Sequence, residues 1–431
     1  MTGLFGGNVA SGGDYATGTF ISYVSTIPLG GTSNVYTTAS LSATGTTNGT
    51  LTASNGTTAN DSTTTRSGGS SSTRTLLVGT SQASARNATS SSTSAARPSN
   101  VALCNGYNSF CNRKYSNISM VGAHNSPFQV RNNVASNQML DVTTQLNDGI
   151  RMLQFQVHKP NESSPLLLCH TSCDLLNAGT LVDYLTTTRQ WLDRNPYDVI
   201  TVLIGNFDIL SPQSFVGPVT DSGLLKYAYT PPTVPMPLAS WPTLGEMVLS
   251  GKRAVIMLDY EADQTAIPWL LDEFGQMWET PFSPTNRDFP CIVDRPPNQN
   301  RNESIDRMYV ANHNLNVDLS FGSFSLLIPA FTLLHETNAV AGYGSAGAQR
   351  SNCTSKWGRP PNFLLVDYYN IGNFNGSVFQ VAADANGVSY NRDLCCGLGQ
   401  RAISRATNTA GIRRSWLITL ASIISCLSLC V

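Results

Sequence analysis

Two histidines that each follow a short apolar run most constrain what this chain can fold into. His124 follows the run Ile118 to Val121, and His170 follows the run Leu166 to Leu168. Short apolar runs bounded by Gly, Pro or Ser are typical of buried strands. In an α/β barrel, functional side chains stand at the carboxyl ends of such strands. The pattern therefore predicts a site at one rim of a barrel; the alternative is that each histidine is a satisfied polar residue at a strand edge.

Strands and helices alternate along the folded part of the chain, which predicts parallel pairing. We expect an α/β fold, an irregular (β/α)8 TIM-type barrel, over residues 101–400. The Pro-rich segments Pro212 to Pro242 and Pro281 to Pro297 are predicted to be long loops that shape the mouth of the barrel. The predicted strands are Ile118 to Val121, Arg151 to Val157, Leu166 to Cys169, Val199 to Ile204, Ala254 to Leu258, Met308 to Ala311 and Phe363 to Val366, and the predicted helices are Met139 to Asn147, Thr180 to Asn195 and Thr243 to Ser250.

Polar side chains stand at or near the carboxyl ends of most of these strands. Along Arg151 to His158, alternation places Gln154, Gln156 and His158 on one face and turns Arg151 toward the helices. A polar inward face is costly for a core strand unless it lines a pocket. We therefore expect one rim to gather the polar residues at the strand ends, which are His124, Asn125, His170, Asn206, Asp259 and Asp367.

Several motifs in this order resemble the phosphatidylinositol-specific phospholipase C family, whose members are phosphodiesterases with a TIM-type barrel. They are G-A-H-N-S at 122–126, G-I-R-M-L-Q-F-Q at 149–156 and L-C-H at 168–170. N-P-Y-D-V-I-T-V-L-I resembles the strand that follows, and F-L-L-V-D-Y-Y resembles the last barrel strand, with its acidic residue at Asp367. The similarity covers roughly Cys104 to Asp367. With its Ser/Thr-rich amino end and apolar carboxyl end, the whole chain is most similar to the secreted fungal members.

The resemblance implies a phosphodiester cleavage carried out by a pair of histidines. His124 would act as general base on the inositol 2-hydroxyl, and His170 as general acid toward the departing diacylglycerol oxygen. Imidazole suits both roles because its pKa lies near the operating pH. Asp367 would orient and charge His124. The expected substrate-binding residues are Asn125, Gln154, Gln156, His158, Asn206 and Asp259.

The positive charge that such chemistry needs near the phosphate is missing from the family's positions. Bacterial members carry an arginine on the second strand, and eukaryotic members hold calcium with an Asn and several carboxylates. This chain keeps the Asn as Asn125, but has Gln154, Gln156 and Asn206 where the arginine or the carboxylates would stand. Amides are weak calcium ligands, so we expect no cofactor, with calcium left open. Three other residues are candidates for the missing charge, namely His158, Lys159 and Lys114.

Two functions therefore remain open at this point. The first is a metal-independent phosphodiesterase or lyase that acts on a phosphoinositide, a GPI glycan or another phosphodiester. The second is a surface protein that keeps the barrel for ligand binding or a wall role, with little catalysis. The two histidines favour the first function, and the missing charge favours the second.

Composition excludes some partners and indicates the compartment. Only 12% of residues are charged and the formal net charge is −1, so neither nucleic acid nor an electrostatic hold on a membrane is indicated. The ten cysteines lack the paired CxxC spacing of a zinc site. Cysteines beside N-x-S/T sequons favour a secreted, oxidised glycoprotein. The sequons are at Asn48, Asn55, Asn60, Asn87, Asn117, Asn161, Asn302, Asn352 and Asn375.

The cysteine spacing also predicts some disulfides. Cys169 is expected to pair with Cys173 across a tight turn, and Cys104 is a candidate partner for Cys111. The adjacent residues Cys395 and Cys396 are expected to bond to different partners, because a bridge between neighbours is strained.

The amino-terminal segment predicts a stalk rather than a folded unit. Residues 1–98 are dominated by Ser, Thr, Gly and Ala, and cannot bury enough apolar surface to offset the entropy of ordering. We expect a disordered stalk, either O-glycosylated or a plain linker. The opening MTGLFGGNVASGG lacks the basic and apolar regions of a signal peptide, so we expect an incomplete start.

The carboxyl end predicts membrane attachment. Trp416 to Val431 is apolar and uncharged, and small residues and a short spacer precede it. This is the pattern of a GPI-attachment signal, predicted over 401–431 with Asn408, Ser404 or Ala406 as the attachment point. A tail-anchored helix or a buried strand is the alternative. We expect a monomer at the cell surface or outside the cell, anchored to plasma membrane or wall, with a phospholipid or another phosphodiester as substrate.

Overall fold

The computed structural model describes residues 18–23, 25–29, 103–321 and 324–397. The predicted stalk, apart from 18–23 and 25–29, and the predicted attachment signal at 401–431 lie outside these residues. Within the described ranges, no helix combines the length and the apolar character needed to cross a membrane.

The described residues form short strands and helices in alternation. The strands are β1 (Ile27–Pro28), β2 (Met120–Ala123), β3 (Met152–His158), β4 (Leu167–His170), β5 (Ser172–Thr180), β6 (Ile200–Asn206), β7 (Thr233–Val234), β8 (Ala254–Leu258), β9 (Leu270–Asp272), β10 (Met277–Glu279), β11 (Met308–His313), β12 (Asn316–Phe321), β13 (Phe324–Pro329) and β14 (Phe363–Val366). The α-helices are α1 (Val142–Asp148), α2 (Leu181–Arg194), α3 (Val216–Asp221), α4 (Leu244–Ser250), α5 (Glu273–Gln276), α6 (Arg301–Ile305), α7 (Leu334–Thr337), α8 (Ala346–Trp357) and α9 (Ser377–Asn386). Short 3-10 turns occupy Asn108–Asn112, Tyr115–Asn117, Pro212–Phe215, Leu224–Tyr227, Leu238–Ser240, Phe331–Leu333 and Arg392–Leu394.

Parallel strands form the barrel wall in the order β10-β11-β14-β2-β3-β6-β8-β9. The register of neighbouring strands brings their carboxyl ends to one rim: Val366 pairs with Ala123, and Ala123 pairs with Leu153. Among the described residues, no strand pairing closes the sheet between β9 and β10, which are joined in sequence by α5. The predicted irregular (β/α)8 TIM-type barrel is confirmed.

One strand departs from the predicted parallel pairing. β4 runs antiparallel to β3, with Val157 opposite Leu168, and pairs on its other side with β5. The connection from His158 to Leu167 is too short for a crossover helix, so the chain must turn straight back. The prediction of parallel pairing was therefore wrong for Leu166 to Cys169. The reversal returns His170 to the rim, so the expected position of this side chain holds for a different reason.

The two predicted long loops differ from one another. Residues 281–297 contain no helix or strand, as predicted. Residues 212–242 instead contain α3, β7 and three 3-10 turns. Buried apolar side chains such as Phe215, Val219 and Leu224 pack these turns against the core, which a count of prolines does not register.

Helix ends follow local capping signals in the sequence. The Asp141 carboxylate accepts the Thr144 N–H at the start of α1, and α1 ends at Gly149 with a φ of 118°. Thr243 and Glu246 form a capping box at the start of α4. These signals fix where each helix leaves the barrel wall.

The barrel has one apolar layer inside and one outside its wall. Met152, Leu203 and Met257 belong to the inner cluster, whereas Leu153 and Phe155 belong to the outer cluster beneath the helices. Residues 104–115 close the amino-terminal end of the barrel. Their inner contacts include hydrogen bonds of Asn105 to the backbone of Val199 and of Tyr115 to Thr201.

Arg151 faces the helices, as predicted from strand alternation. Its guanidinium pairs with Asp198 at 2.7 Å and lies over the ring of Trp191 in α2. The other face of β3 is therefore free to turn Gln154 and Gln156 into the barrel.

Residues 18–23 and 25–29 form a strap that packs against the barrel. β1 pairs antiparallel with β7, and the Phe20 ring lies 4.8 Å from that of Phe274. The Tyr23 hydroxyl donates a 2.7 Å hydrogen bond to Asp272. The predicted disordered stalk is therefore wrong for these residues, because two aromatic side chains and a strand pairing offset their ordering entropy.

Disulfides join four pairs of cysteines in the described residues. Cys104–Cys111 and Cys169–Cys173 are formed as predicted. Cys291–Cys353 ties the loop 281–297 to α8. Cys395 and Cys396 are bonded to each other, so the prediction of separate partners was wrong. The other six cysteines of the described residues are paired among themselves, so within these residues Cys395 and Cys396 have only each other as partners.

Candidate active site

His124 lies one residue beyond β2 and is held by the last residue of the motif F-L-L-V-D. Its Nδ1 donates to Asp367 Oδ1 at 2.8 Å, and the two residues are 6% and 2% exposed. Asn137 Nδ2 donates to the same carboxylate oxygen at 2.9 Å. Gln138 Nε2 bonds the backbone carbonyls of both His124 and Val366. The two strand ends that carry the pair are thereby fixed relative to each other.

The partners of His124 define its tautomer. A carboxylate can only accept a hydrogen bond, so Nδ1 carries the proton toward Asp367. Nε2 is then an acceptor, and Asn314 Nδ2 lies 3.4 Å from it as a weak donor. The imidazole is therefore arranged with its basic nitrogen toward the barrel mouth.

His170 is the last residue of β4 and is 4% exposed. Burial, together with the nearby His124 and His158, lowers its pKa to about 3. Its Nδ1 is buried without a hydrogen-bond partner among the described residues. The ring of Phe128 lies edge-on at 5.3 Å. His170 is thus neutral in this structure at neutral pH.

Both histidines line one narrow cavity of about 10 Å³, here called the histidine cavity. Three of its lining residues have left-handed backbones, namely Asn125 (φ 48°), Thr171 (φ 59°) and Ser283 (φ 48°). Non-glycine residues with positive φ carry strain and concentrate at functional sites. The lining is completed by Gln156, Phe282 and Asn316.

Gln154 and Gln156 point into the barrel, as predicted. Gln154 Oε1 accepts the backbone N–H of Asn125 at 2.9 Å, which holds the strained residue beside His124. Gln156 lies against Gly205, where a Cβ atom would come within 2.5 Å of the Gln156 Oε1. Only glycine leaves room for Gln156 on the neighbouring strand.

Of the three candidates for the missing positive charge, only His158 is near the two catalytic candidates. Its Nδ1 contacts Asp208 at 3.2 Å, and burial lowers its pKa although Asp208 opposes the shift. Lys159 pairs with Glu162 at 3.2 Å on the surface. Lys114 binds the carbonyl of Ala239 on the amino-terminal side of the barrel.

Asn206 is not brought into the site. Its side-chain amide bonds the backbone of Leu210 and the carbonyl of Tyr260, so it shapes the turn after β6. This use differs from the predicted substrate contact. Asp259 faces the barrel interior but also accepts the N–H groups of Asn206 and Tyr260. Burial raises the pKa of Asp259 to about 6.

A buried arginine lies beside the histidine cavity and was not predicted. Arg295 Nη1 bonds Glu279 at 3.0 Å, and its Nη2 lies 3.5 Å from Asp259. The guanidinium also lies over the Phe282 ring at 4.4 Å. Burial alone would lower the pKa of Arg295, but Glu279 and the other acidic neighbours outweigh it and raise the pKa.

This arginine belongs to a second cavity of about 10 Å³, here called the arginine cavity. Asp259, Glu273 and Glu279 line it with Arg295. Burial raises the pKa of Glu273 well above its usual range, so this carboxyl is neutral. Gln156 and Phe282 line both cavities and form the wall between them.

The residues at the family's cation positions do not fit a calcium ion. Gln154 and Asn206 use their side-chain amides on the protein's own backbone, and Gln156 offers one amide. Calcium prefers several oxygen ligands with carboxylates among them. Among the described residues, no group of three or more His, Cys, Asp or Glu side chains is arranged to hold a metal.

Three residues of the site escaped the sequence analysis. Asn137 lies in a segment without strand or helix periodicity, and Arg295 lies in a long loop, so neither carried a signal. Asn314 did carry one, because it follows the apolar run Met308 to Ala311 as His124 follows its own run.

Comparisons with known proteins identify the family of this chain. The family model PI-PLC X 1 matches residues 110–381, more than half of the chain. A PI-PLC X domain-containing protein 1 of Arthroderma benhamiae is 42% identical over 273 residues, 63% of this chain and 86% of that protein. An uncharacterized secreted protein of the same fungus is 56% identical over 337 residues, 76% of each chain.

Among solved structures, a phosphatidylinositol-specific phospholipase C from Listeria monocytogenes is 15% identical, with a TM-score of 0.42, covering 64% of this chain and 95% of that chain. The family match and the identity to the fungal relatives are sufficient by themselves to assign the family. This chain belongs to the PI-PLC X domain family, and the family predicted from its motifs is confirmed.

Proposed function

We propose that this protein is a metal-independent phosphodiesterase of the phosphatidylinositol-phospholipase-C type. The observation that carries the proposal is that His124, oriented by Asp367, shares a buried cavity with His170. The family match supports the reaction class. The proposed substrate is a phosphoinositide or a related phosphodiester with a neighbouring hydroxyl.

The proposed reaction uses the two imidazoles in opposite senses. His124 Nε2 takes the proton of the substrate hydroxyl, whose oxygen then bonds to phosphorus. The P–O bond to the departing alcohol breaks, and His170 gives that oxygen a proton. Asp367 acts through His124, because its carboxylate holds the tautomer and stabilises the imidazolium that forms. Asn125, Gln156 and His158 are the proposed contacts to the substrate.

The low pKa of His170 is compatible with this role once substrate is bound. Its pKa of about 3 applies to the cavity without a ligand, where burial and two other histidines disfavour the charged imidazolium. A phosphodiester anion in the same cavity would favour the imidazolium. The proposal therefore requires that an anionic ligand bind together with a proton.

A second function has its own support. The residues that line the histidine cavity in the described part of the chain include neither Arg nor Lys. Fixed positive charge is usually the largest aid to phosphoryl transfer. A surface protein that binds a ligand in the barrel with little catalysis is therefore the alternative.

The deciding experiment measures diacylglycerol release from phosphatidylinositol vesicles by the secreted full chain, with EDTA and with added calcium. Turnover that survives EDTA and falls by about 10²–10⁴-fold in His124→Ala and in His170→Ala supports the proposal. The matched control is His335→Ala, since His335 is exposed and bonds only the Gly372 carbonyl in this structure.

Other outcomes separate the alternatives. Turnover that needs calcium would refute the metal-independent form. Equal turnover in the histidine variants and the wild type would refute the histidine pair. Binding of a phosphodiester without turnover, across a panel of head groups, would establish the binding protein instead.

We infer that the protein acts outside the cell as a glycoprotein. The secreted fungal relative and the four disulfides support export. Attachment through a GPI anchor at 401–431 and a role in lipid metabolism at the membrane remain parts of the proposal, as does a monomeric state. Release of the protein from cells by cleavage of GPI anchors tests the attachment.

A further inference from the structure

Sequons in the folded part of the chain are all accessible for glycosylation, but one of them is placed differently from the others. The five asparagines are exposed, and they are Asn117, Asn161, Asn302, Asn352 and Asn375. Asn302 alone among them lines a large groove. The groove has a volume of about 550 Å³ and lies between the strap and α6.

The groove is polar and is built from both sides. The strap contributes Ser25 and Thr26, both exposed, and the α6 region contributes Glu303, Asp306 and Arg307. Such groups can bond hydroxyl and acetamido groups. Pro235 and Pro237 add apolar ring faces to the same lining. Its volume lies within the range of about 300–1,000 Å³ that is usual for small-ligand sites.

We propose that the first sugars of an N-linked glycan on Asn302 lie in this groove. The sequon Asn302-Glu303-Ser304 fixes the attachment point at the groove wall. In the modification, Asn302 Nδ2 bonds to the anomeric carbon of an oligosaccharide carried on a lipid diphosphate. The C–O bond to the diphosphate breaks, and the amide proton leaves with it. The sugars then cover the groove and link α6 to the strap.

Asn161 provides the comparison within the same molecule. It lies on the exposed connection between β3 and β4, and its Oδ1 accepts hydrogen bonds only from Ser163 in this structure. It lines none of the cavities described above. A glycan on Asn161 therefore extends into solvent, where an enzyme reaches its first sugars freely.

The experiment compares glycan removal from the two sites on the native full chain, secreted from a host that attaches N-glycans. Glycopeptide mass spectrometry follows each site during digestion by an endoglycosidase that cuts between the first two sugars. The glycan on Asn302 is expected to be released at least about 10-fold more slowly than that on Asn161, since the groove shields the cut bond. After denaturation the two rates should be equal.

A groove-filling substitution separates shielding by the groove from other causes. Ser25→Trp places a large side chain in the groove and should bring the native release rate at Asn302 close to that at Asn161. The matched control is Ser22→Trp, an exposed strap position outside the groove lining, which should leave the protection unchanged. Asn302→Gln should raise hydrogen exchange in the strap, because the link to α6 is lost.

Three results would overturn the proposal: Asn302 without a glycan, equal native release at Asn302 and Asn161, or unchanged protection in Ser25→Trp. None of these readouts depends on phosphodiesterase activity. Failure of the proposed reaction and failure of this inference are therefore distinguishable.

Discussion

The histidine cavity and the arginine cavity lie side by side in the barrel, have similar volumes and share Gln156 and Phe282 as a wall. They differ in how their polar atoms are satisfied. In the arginine cavity, Arg295 pairs with Glu279 and Asp259, and the neutral Glu273 contributes one unpartnered atom among the described residues, its Oε1. In and around the histidine cavity, buried polar atoms have no hydrogen-bond partner among the described residues. Such atoms include Asn125 Oδ1, His158 Nε2, His170 Nδ1 and Asp367 Oδ2.

The difference distinguishes a self-paired charge cluster from a cavity in which several buried polar atoms lack partners among the described residues. An unsatisfied buried polar atom costs about 1–3 kcal/mol, so a chain keeps several together only where a ligand or water completes them. A charge cluster whose members pair with one another has no such need. The charge of Arg295 is therefore used on the protein itself, and the histidine cavity beside it, whose lining in the described part of the chain includes no Arg, Lys, Asp or Glu, is the one we propose for a ligand.

The cluster around Arg295 also explains how a positive charge can be near the site without being free to act. Its guanidinium is held by carboxylates and lies over the rings of Tyr260, Phe274 and Phe282. A phosphate in the histidine cavity would have to compete with Glu279 for it. The comparison predicts that Arg295 contributes mainly to stability.

The largest expected effect comes from breaking the arginine cluster. Arg295→Met leaves Glu279 and Asp259 as uncompensated buried charges and should lower the free energy of unfolding by about 3–5 kcal/mol. The double variant Arg295→Met/Glu279→Gln should recover part of this loss, because the unpaired carboxylate is removed. Chemical denaturation of the three proteins provides the measurement. A double variant no more stable than the single variant would show that Arg295 acts through packing on its aromatic neighbours rather than through charge.

The pH dependence of stability sharpens the comparison further. The folded-state pKa of Asp259, about 6, lies above its ordinary value of 3.8, so folding favours its protonated form. This stabilisation is present below about pH 4 and is lost as the pH rises through 6, a change of up to about 3 kcal/mol at 1.4 kcal/mol per pKa unit. The lowered pKa of His170 has the opposite effect. The folded protein loses stability as the pH falls below 6.5, the ordinary pKa of a histidine.

Asp259→Asn isolates the first of these two contributions. The variant should lose less stability than the wild type between about pH 4 and pH 7, as measured by urea unfolding across that range. Asp221→Asn, at an exposed carboxylate in α3, is the matched control. Identical pH profiles for Asp259→Asn and the wild type would contradict a protonated Asp259 in the folded protein.

The two cavities also differ in how far the sequence could predict them. His124 and Asp367 follow buried runs that alternate with helices, and His170 follows a buried run that turns straight back from β3, so the barrel, its rim and the candidate pair could be predicted from local pattern. Arg295 could not, because it is placed by the fold of a long loop and by a backbone pairing with Glu279. Local periodicity carries no information about which loop residue reaches the barrel interior.

The errors in the fold have the same origin. The antiparallel turn of β4 and the order of the strap depend on contacts between distant segments, such as Tyr23 with Asp272. Composition over 1–98 averages the few aromatic residues of the strap into a polar background. Asn206 shows the limit for the site: its position at a strand end was read correctly, but its amide is used on the turn that follows.

The smallest expected effect concerns whether Asp367 contributes by orienting the His124 ring. Asp367→Asn keeps the size of the side chain but removes the charge that fixes the Nδ1–H tautomer of His124. If the proposed reaction is correct, turnover should fall by about 10²-fold, with a smaller change in substrate affinity. Nitrogen NMR of the His124 ring should show a shift toward the Nε2–H tautomer, which a loss of packing alone would not produce.

Since Asn137 also bonds the Asp367 carboxylate, Asn137→Ala should weaken the same tautomer preference to a lesser degree. An unchanged tautomer in Asp367→Asn would mean that Asn137 and Asn314, rather than the carboxylate, orient the ring. The proposed base would then be oriented by neutral amides, without the negative charge of Asp367.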